Sequence, residues 1–427
     1  MITKGIYDLK SVQQNAQNVT VFKNHVRQYI KIRPKNQRDE WTAGSTIEIP
    51  LLGQGLDYIN FSGSSLVVSF NIVVAGNFAG PITFPFGSVG MIQRYQLRAG
   101  ASDIEDIDNY GRFVWLQMMG HGSNDISEGD AMLNTNGSLV LPIASEAKQR
   151  MLKIPLMTLF HKAGYVPIYN IAEDLVLRLE LANVLDYVKS GNANAEPNGA
   201  TVDILVTDMY FLADGMSATS GGQLSDQPFR FHTQTHYGRV HLMDHADQNV
   251  IFLKRFIHDL KKTSMKKWIG MFALDPPDSW DGAQGRLARE LLTSPCRIND
   301  FSFIFYLGGQ PFPFKSEIDQ PIDMYYQYLK YFNKQDAIGG SSEGVVQYTT
   351  NWGPVDADTG LQRFYPAATF DKLDQTGTII SGIDTERYNI ELQMNGRHAT
   401  EVVQRFFNWF TWDVIVTIVG GEIKIED

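Results

Sequence analysis

The chain holds one cysteine, Cys296, among 427 residues, so no disulfide can close within it. No window approaches the roughly 18 unbroken apolar residues that a membrane-spanning helix requires. Met1-Ile-Thr-Lys-Gly-Ile-Tyr-Asp8 lacks the apolar core of a signal peptide. These absences predict a chain made and folded inside a cell. The sequence also has no G-x-G-x-x-G, no Walker loop, no H-E-x-x-H and no cysteine pair, which removes the common nucleotide and zinc-hydrolase signatures. No two carboxylates can be set face to face, so no general acid or base is nominated. No catalytic, cofactor or metal site is expected.

Positive charge is scarce, yet concentrated. The net charge is −10, which argues against a nucleic-acid coat made from the whole surface. Residues 1–38, however, carry eight Lys/Arg (Lys4, Lys10, Lys23, Arg27, Lys31, Arg33, Lys35, Arg38) against Asp8 alone, a net +7 that leaves −17 for the rest. This predicts a basic arm on an acidic body, able to face a polyanion or an acidic partner, with a solvated, partly disordered N-terminal extension as the competing reading. Weak helical periodicity runs from Val12 to Tyr29.

What the sequence does have is one β-rich plan written twice. Ile92-Gln-Arg-Tyr-Gln-Leu-Arg-Ala-Gly100 runs into a glycine, as does Ile298-Asn-Asp-Phe-Ser-Phe-Ile-Phe-Tyr-Leu-Gly-Gly309. Leu175-Val-Leu-Arg-Leu-Glu-Leu181 has a counterpart in Tyr388-Asn-Ile-Glu-Leu-Gln-Met394, and Asp203-Ile-Leu-Val-Thr207 in Asp413-Val-Ile-Val-Thr417. Like elements in one order, half a chain apart, predict two similar domains. Each half offers about eight short strands, one helix (Asp108 to Met119, then Ile322 to Phe332) and long loops at 120–137, 186–200 and 336–361. That is the element list of an eight-stranded jelly roll. The expected fold class is all-β, two tandem jelly rolls with a few short helices. The expected boundaries are an arm over 1–44, a first jelly roll over 45–213, a glycine-rich linker over 214–227 and a second jelly roll over 228–427.

Four groups of residues invite a chemical reading. His232, His236, His241 and His245, beside Asp244, hold the ligand types for zinc. The competing reading is a solvated or inter-subunit histidine set that makes assembly pH-sensitive. Asp103, Glu105, Asp106 and Asp108 form the densest acid cluster, a calcium candidate without a calcium loop's spacing. The favoured alternative is that they stand before a helix, where negative charge suits the dipole. Gly340-Ser-Ser-Glu-Gly344 fits a nucleophile elbow but lacks the strand before and the helix after it. Lys254 to Lys267 carries six Lys/Arg and one acid, suited to phosphate backbone or to a neighbouring acidic subunit.

Ile47-Glu-Ile-Pro50, Ser65-Leu-Val-Val-Ser-Phe70, Leu97-Arg-Ala-Gly-Ala-Ser-Asp-Ile-Glu105, Ser294-Pro-Cys-Arg-Ile-Asn-Asp-Phe301, Tyr306-Leu-Gly-Gly-Gln-Pro-Phe-Pro313 and the tail from Ser381 to Lys424 follow one another in an order that has a known likeness. In this order and spacing the chain resembles the double jelly-roll major capsid proteins of the adenovirus-like and polinton-type DNA viruses. That lineage includes virophages and tailless membrane-containing bacteriophages. The resemblance implies a non-enzymatic homotrimer, a pseudo-hexameric capsomer tiling an icosahedral shell around a DNA genome. It implies partners in neighbouring capsomers and in penton and minor capsid proteins, with the basic arm inside, near genome, membrane or minor proteins. The alternative is a glycan-binding or glycan-processing double β-sandwich. Because Gly191 to Gly199 reads as surface loop, its deletion is expected to leave the far-UV circular dichroism spectrum unchanged; an unfolded deletion would contradict the loop assignment.

Overall fold

Gly100 and Gly308, the two glycines that set the internal repeat, both adopt left-handed backbone, with φ of +55° and +59°. Each begins a tight turn between two antiparallel strands, a place where a side chain would be strained. In the computed structural model these turns join Ile92–Ala99 to Ser102–Asp108, and Ile298–Leu307 to Gln310–Pro311. The structure describes residues 24–75, 82–121, 139–141, 150–190, 201–219, 224, 227–243, 251–274, 298–332, 365–370, 382–398 and 404–426.

Among the described residues, eight strands set the order of the first sandwich: β1 (His25–Ile32), β2 (Thr46–Pro50), β3 (Tyr58–Ala75), β4 (Ile92–Ala99), β5 (Ser102–Asp108), β6 (Arg150–Pro155), β7 (Leu175–Leu181) and β8 (Thr201–Ala218), with the short strand Tyr165–Pro167 added against β3. Eight more set the second: β9 (Phe229–Met243), β10 (Ile251–His258), β11 (Met265–Leu274), β12 (Ile298–Leu307), β13 (Gln310–Pro311), β14 (Ala367–Thr369), β15 (Ile390–His398) and β16 (Gln404–Val419), with Glu422–Glu426 added against β16. Hydrogen bonding orders the first set as β1-β8-β3-β6 and β2-β7-β4-β5. The second set is ordered β9-β16-β11-β14 and β10-β15-β12-β13. Adding eight to every strand of the first half gives the second, so the two halves share one topology, the eight-stranded jelly roll.

Local sequence explains the strands. In β7, Leu175, Leu177, Leu179 and Leu181 point inward while Val176, Arg178 and Glu180 are only partly covered, the alternation of a half-buried strand. β16 differs: Phe406 and Phe407, then Trp409 and Phe410, are all buried. A run that is apolar on successive positions belongs to a sheet covered on both faces. Inside the second sandwich Phe406 meets Phe272, Trp268 and Phe256, with ring centroids 4.7, 6.2 and 5.7 Å away.

Two helices follow the repeat: α1 (Tyr110–His121) after β5, and α2 (Pro321–Tyr331) after β13. Both lie near where the spacing predicts them. Asn109 takes left-handed backbone (φ 53°) to turn β5 into α1, a conformation Asn tolerates. No helix among the described residues is long and apolar enough to cross a membrane.

Several sequence expectations change. The segment from 25 to 32 is neither helix nor free arm: β1 pairs with β8 from His25↔Ala218 to Ile32↔Phe211. The expected linker is likewise strand up to Ala218. The cause is one buried group. Asp214 is fully covered, held by Arg27 at 2.7 and 2.8 Å and by the amide of Asn60 at 3.0 Å. A polar, glycine-rich stretch thus sits inside the sheet because its acid is neutralised. The closing strands do correspond, but Asp203 stands near the start of β8 while Asp413 stands past the middle of β16. Most of the loops at 120–137 and 186–200, and all of 336–361, lie outside the described residues, as does Gly340 to Gly344.

Strand pairing also fixes which connections share an end. The segments 33–45, 76–91, 109–149 and 182–200 all leave one end of the first sandwich, and 244–250, 275–297, 312–366 and 399–403 one end of the second. The tight turns at 100–101 and 308–309 lie at the opposite ends. Because Phe406 anchors the inner face of β16, Phe406→Ala is expected to destabilise the chain by about 3–5 kcal/mol in denaturant unfolding. A loss under about 1 kcal/mol would contradict this packing.

Candidate assembly surfaces

Wherever the two sandwiches meet, the contacts run up one continuous seam. Near the tight-turn ends, Phe160 lies 5.8 Å from Phe231 and the hydroxyl of Thr233 donates to the Leu159 carbonyl at 2.9 Å. Higher up, Thr235 donates to Glu105 at 3.3 Å. At the top of β5 the Trp409 indole N–H donates to the Asp108 carbonyl at 3.1 Å. A Cβ on Gly238 would come within 2.6 Å of that same carbonyl, so the close approach needs glycine there. Gln117 on α1 donates to the Tyr331 hydroxyl of α2 at 2.7 Å. The contacts rise in step along both halves, so the sandwiches stand side by side with like ends together.

Arg112 closes the seam. Its guanidinium lies 4.6 Å from the ring centres of both Phe86, in the first half, and Phe407, in the second. It donates to the Asp186 carbonyl at 3.1 Å, and Arg405 from β16 reaches the Asp186 carboxylate at 2.6 Å. Burial, then the nearby Arg405 cation, draws the Arg112 pKa down to about 9. Two rings and a shared carboxylate compensate for much of the desolvation of this cation.

The sequence-nominated groups do not converge on a reaction centre. Among the described residues no three His, Cys, Asp or Glu side chains gather to hold a metal ion. The acid cluster lies on β5, which ends at Asp108 just before α1 starts at Tyr110, and α1 has no acid in its own first turn. Alternation sends Glu105 and Asp106 to opposite faces, and a register shift opposite Leu97 and Arg98 leaves Asp103 facing outward too. Asp106 turns out to a two-bond clamp from Arg94 at 2.8 and 2.5 Å, and Asp103 to Arg98 at 2.9 Å. Glu105 turns in, 3% exposed, and accepts from the Leu159 N–H at 2.7 Å. The histidines diverge as well. His232 meets Asp413 at 3.1 Å, His236 pairs with Thr411 at 2.9 Å, and His241 faces His258 at 5.7 Å. His245 and Asp244 lie outside the described residues. The basic stretch is spread over β10 and β11: Arg255 pairs with Glu391, Lys266 with Asp413, and Lys267 donates to the Tyr331 carbonyl.

Among the described residues, two outer surfaces carry exposed large apolar side chains. The edge strand β10 exposes Ile251, Leu253 and Ile257. An open, apolar strand edge is a surface that invites protein contact. The outer face of β1-β8-β3-β6 exposes Tyr29 and Met151. Sequence reading missed the seam itself; its one legible signal was the set of large apolar residues on adjacent positions of β16, Phe406-Phe407 and Trp409-Phe410.

Burial pushes Glu105 up to about 7 from its ordinary 4.5, against its bonds from Leu159 and Thr235. Between those values the folded chain keeps a proton that the unfolded chain has lost, so its contribution to stability falls as pH rises. His236 and His258, lowered by burial to about 3, act oppositely: their contribution is complete above the ordinary 6.5 and is lost as pH falls toward 3. The difference isolates the carboxyl. Relative to wild type, Glu105→Gln is expected to gain stability from pH 4.5 to 7, by up to about 1.4 kcal/mol per unit. Parallel stability curves for the two proteins would contradict a buried, proton-holding Glu105.

No protein-family model matches the chain, and no curated protein matches it in sequence. Solved structures do match. VP54 of PBCV-1, fitted into a reconstruction of the virophage Sputnik, is 14% identical with a TM-score of 0.60, over 95% of this chain and 97% of that one. A chain of the Sputnik virophage is 8% identical with a TM-score of 0.65, over 94% and 88%. The mavirus major capsid protein is 10% identical with a TM-score of 0.55, over 93% and 90%. The shared feature is the fold, two jelly rolls in tandem, along nearly the whole of each chain.

Proposed function

We propose that this chain is a viral major capsid protein whose three copies form a pseudo-hexameric capsomer, the tile of an icosahedral shell around a DNA genome. The observation that carries the reading is the end-to-end likeness to the mavirus major capsid protein, at a TM-score of 0.55 over 93% of this chain and 90% of that one. The seam adds a physical reason. Two jelly rolls locked upright with like ends together make one block with two similar faces, so three blocks outline a hexagon. The open apolar edge of β10 suits a chain that is buried in an assembly.

In this reading the tight-turn end faces the interior, because the segment preceding His25 emerges there. Lys4, Lys10 and Lys23 in that segment supply positive charge for genome, an internal membrane or minor capsid proteins. Arg27 and Arg33 do not, since they pair with Asp214 and Asp208 of β8. The long-loop end faces outward and toward neighbouring capsomers and pentons. The role is structural, without catalysis, carried out in the virion after synthesis in the host cell.

Light scattering on the purified protein tests this. The expected particle has three times the 48.1 kDa chain mass. A monodisperse single-chain mass at every concentration would overturn the reading.

A further inference from the structure

The second sandwich has two strand edges that meet. β9 ends the sheet β9-β16-β11-β14, and β10 ends the sheet β10-β15-β12-β13. Among the described residues no strand pairing joins the two, so side chains hold them together. Those side chains are aromatic, and two of them are histidines. His241 of β9 packs on Phe256 of β10 with ring centres 4.4 Å apart, and meets His258 of β10 edge-on at 5.7 Å. Behind them stand Phe406 and Phe410 of β16, the first 6.5 Å from His241 and the second 4.7 Å from His258. The Nε2 atoms of both imidazoles are buried, and neither has a hydrogen-bond partner. No third ligand of the His, Cys, Asp or Glu type joins them among the described residues, so the pair is not a metal centre.

Such a pair is tolerated only while neutral. An imidazolium needs an acceptor for both of its N–H groups, and a buried cation without one is costly. The surrounding charges add to that cost. Arg239 of β9 acts on both rings. Lys254 shares the inward side of β10 with Phe256 and His258. The nearby acids are engaged: Glu391 of β15 with Arg255, Asp259 with Lys261, and Asp413 of β16 with Lys266. Arg405 of β16 is held by Asp186, and Arg397 of β15 stands opposite Ile251, at the far end of β10 from His258. Burial above all lowers both pKa values. Arg239 adds to this for His241, and His241 then Arg239 for His258, which falls to about 3.

We propose that His241 and His258 form an acid-released latch between β9 and β10, so that acid opens the β10 edge and bares the aromatic core behind it. Separation returns each ring to water, where it takes up a proton at its ordinary value of about 6.5. Below that value the open form gains about tenfold per pH unit for each ring that recovers it. The sign is that of a base with a lowered pKa: the latch is complete above about 6.5 and is lost as pH falls. The released strand carries Phe252 and Phe256 on one side and Ile251, Leu253 and Ile257 on the other, an apolar surface that acid alone uncovers. Both rings belong to one chain, so the latch does not rest on the capsid reading.

Hydrogen–deuterium exchange of the purified protein, at about pH 7.5 and about pH 5.5, reads the opening strand by strand once each rate is divided by its intrinsic rate. In acid the β10 amides are expected to lose protection by about tenfold if one ring recovers its ordinary pKa and about a hundredfold if both do, while β7 of the first sandwich loses none. The double variant His241→Phe with His258→Phe, identified as folded by its circular dichroism spectrum, is expected to keep β10 equally protected at both pH values. If the double variant does not fold, His241→Phe alone is expected to shrink the acid loss to the share of one ring. Equal protection of wild-type β10 at both pH values overturns the latch. So does an acid loss that a folded variant keeps in full, or one that β7 shares equally, since the whole chain would then be opening.

Discussion

A guanidinium held between two aromatic rings, one from each sandwich, is the contact on which the rest of the architecture depends. Arg112 is buried, and buried cations are costly unless their surroundings replace water. Phe86, Phe407 and Asp186 do so together, and they come from both halves of the chain. Separating the sandwiches would therefore expose apolar rings and strip the cation of its partners at once. The Trp409 bond to the Asp108 carbonyl and the Thr235 bond to Glu105 add the same constraint lower down. Two domains joined in this way have one relative orientation, whereas domains joined only by a linker move freely by default.

That rigidity gives the topology a use. A jelly roll sends one set of connections to one end and another set to the opposite end, and the seam keeps like ends together. The long connections can then vary or extend at one end without touching the core. In the proposed capsid reading the sides are left for packing against copies.

Much of this plan was legible in the sequence where local physics is decisive. Gly100 and Gly308 marked where their strands stop, and β7 reported its alternation, because chain breaks at glycine and strand pleat are short-range properties. The errors came where a partner distant in sequence set the outcome. Arg27 and Asp214 each read as surface polar residues, yet 187 positions apart they neutralise one another and draw both termini of the first half into one sheet. The acids of β5 read as helix caps because nothing local marks Arg94 and Arg98 as their cross-strand partners. Arg112, Asp186 and Gly238 have no sequence signature at all, since their roles exist only once the two sandwiches touch.

A cryo-electron-microscopy reconstruction of the purified assembly is the most direct test of the central claim, that the chain is one rigid upright pair of jelly rolls built to form a closed ring. The account predicts six sandwich-shaped densities around a three-fold axis, all with their long-loop ends on one side. Particles in which the two sandwiches of a chain take variable relative orientations, or point their long-loop ends in opposite directions, would contradict it.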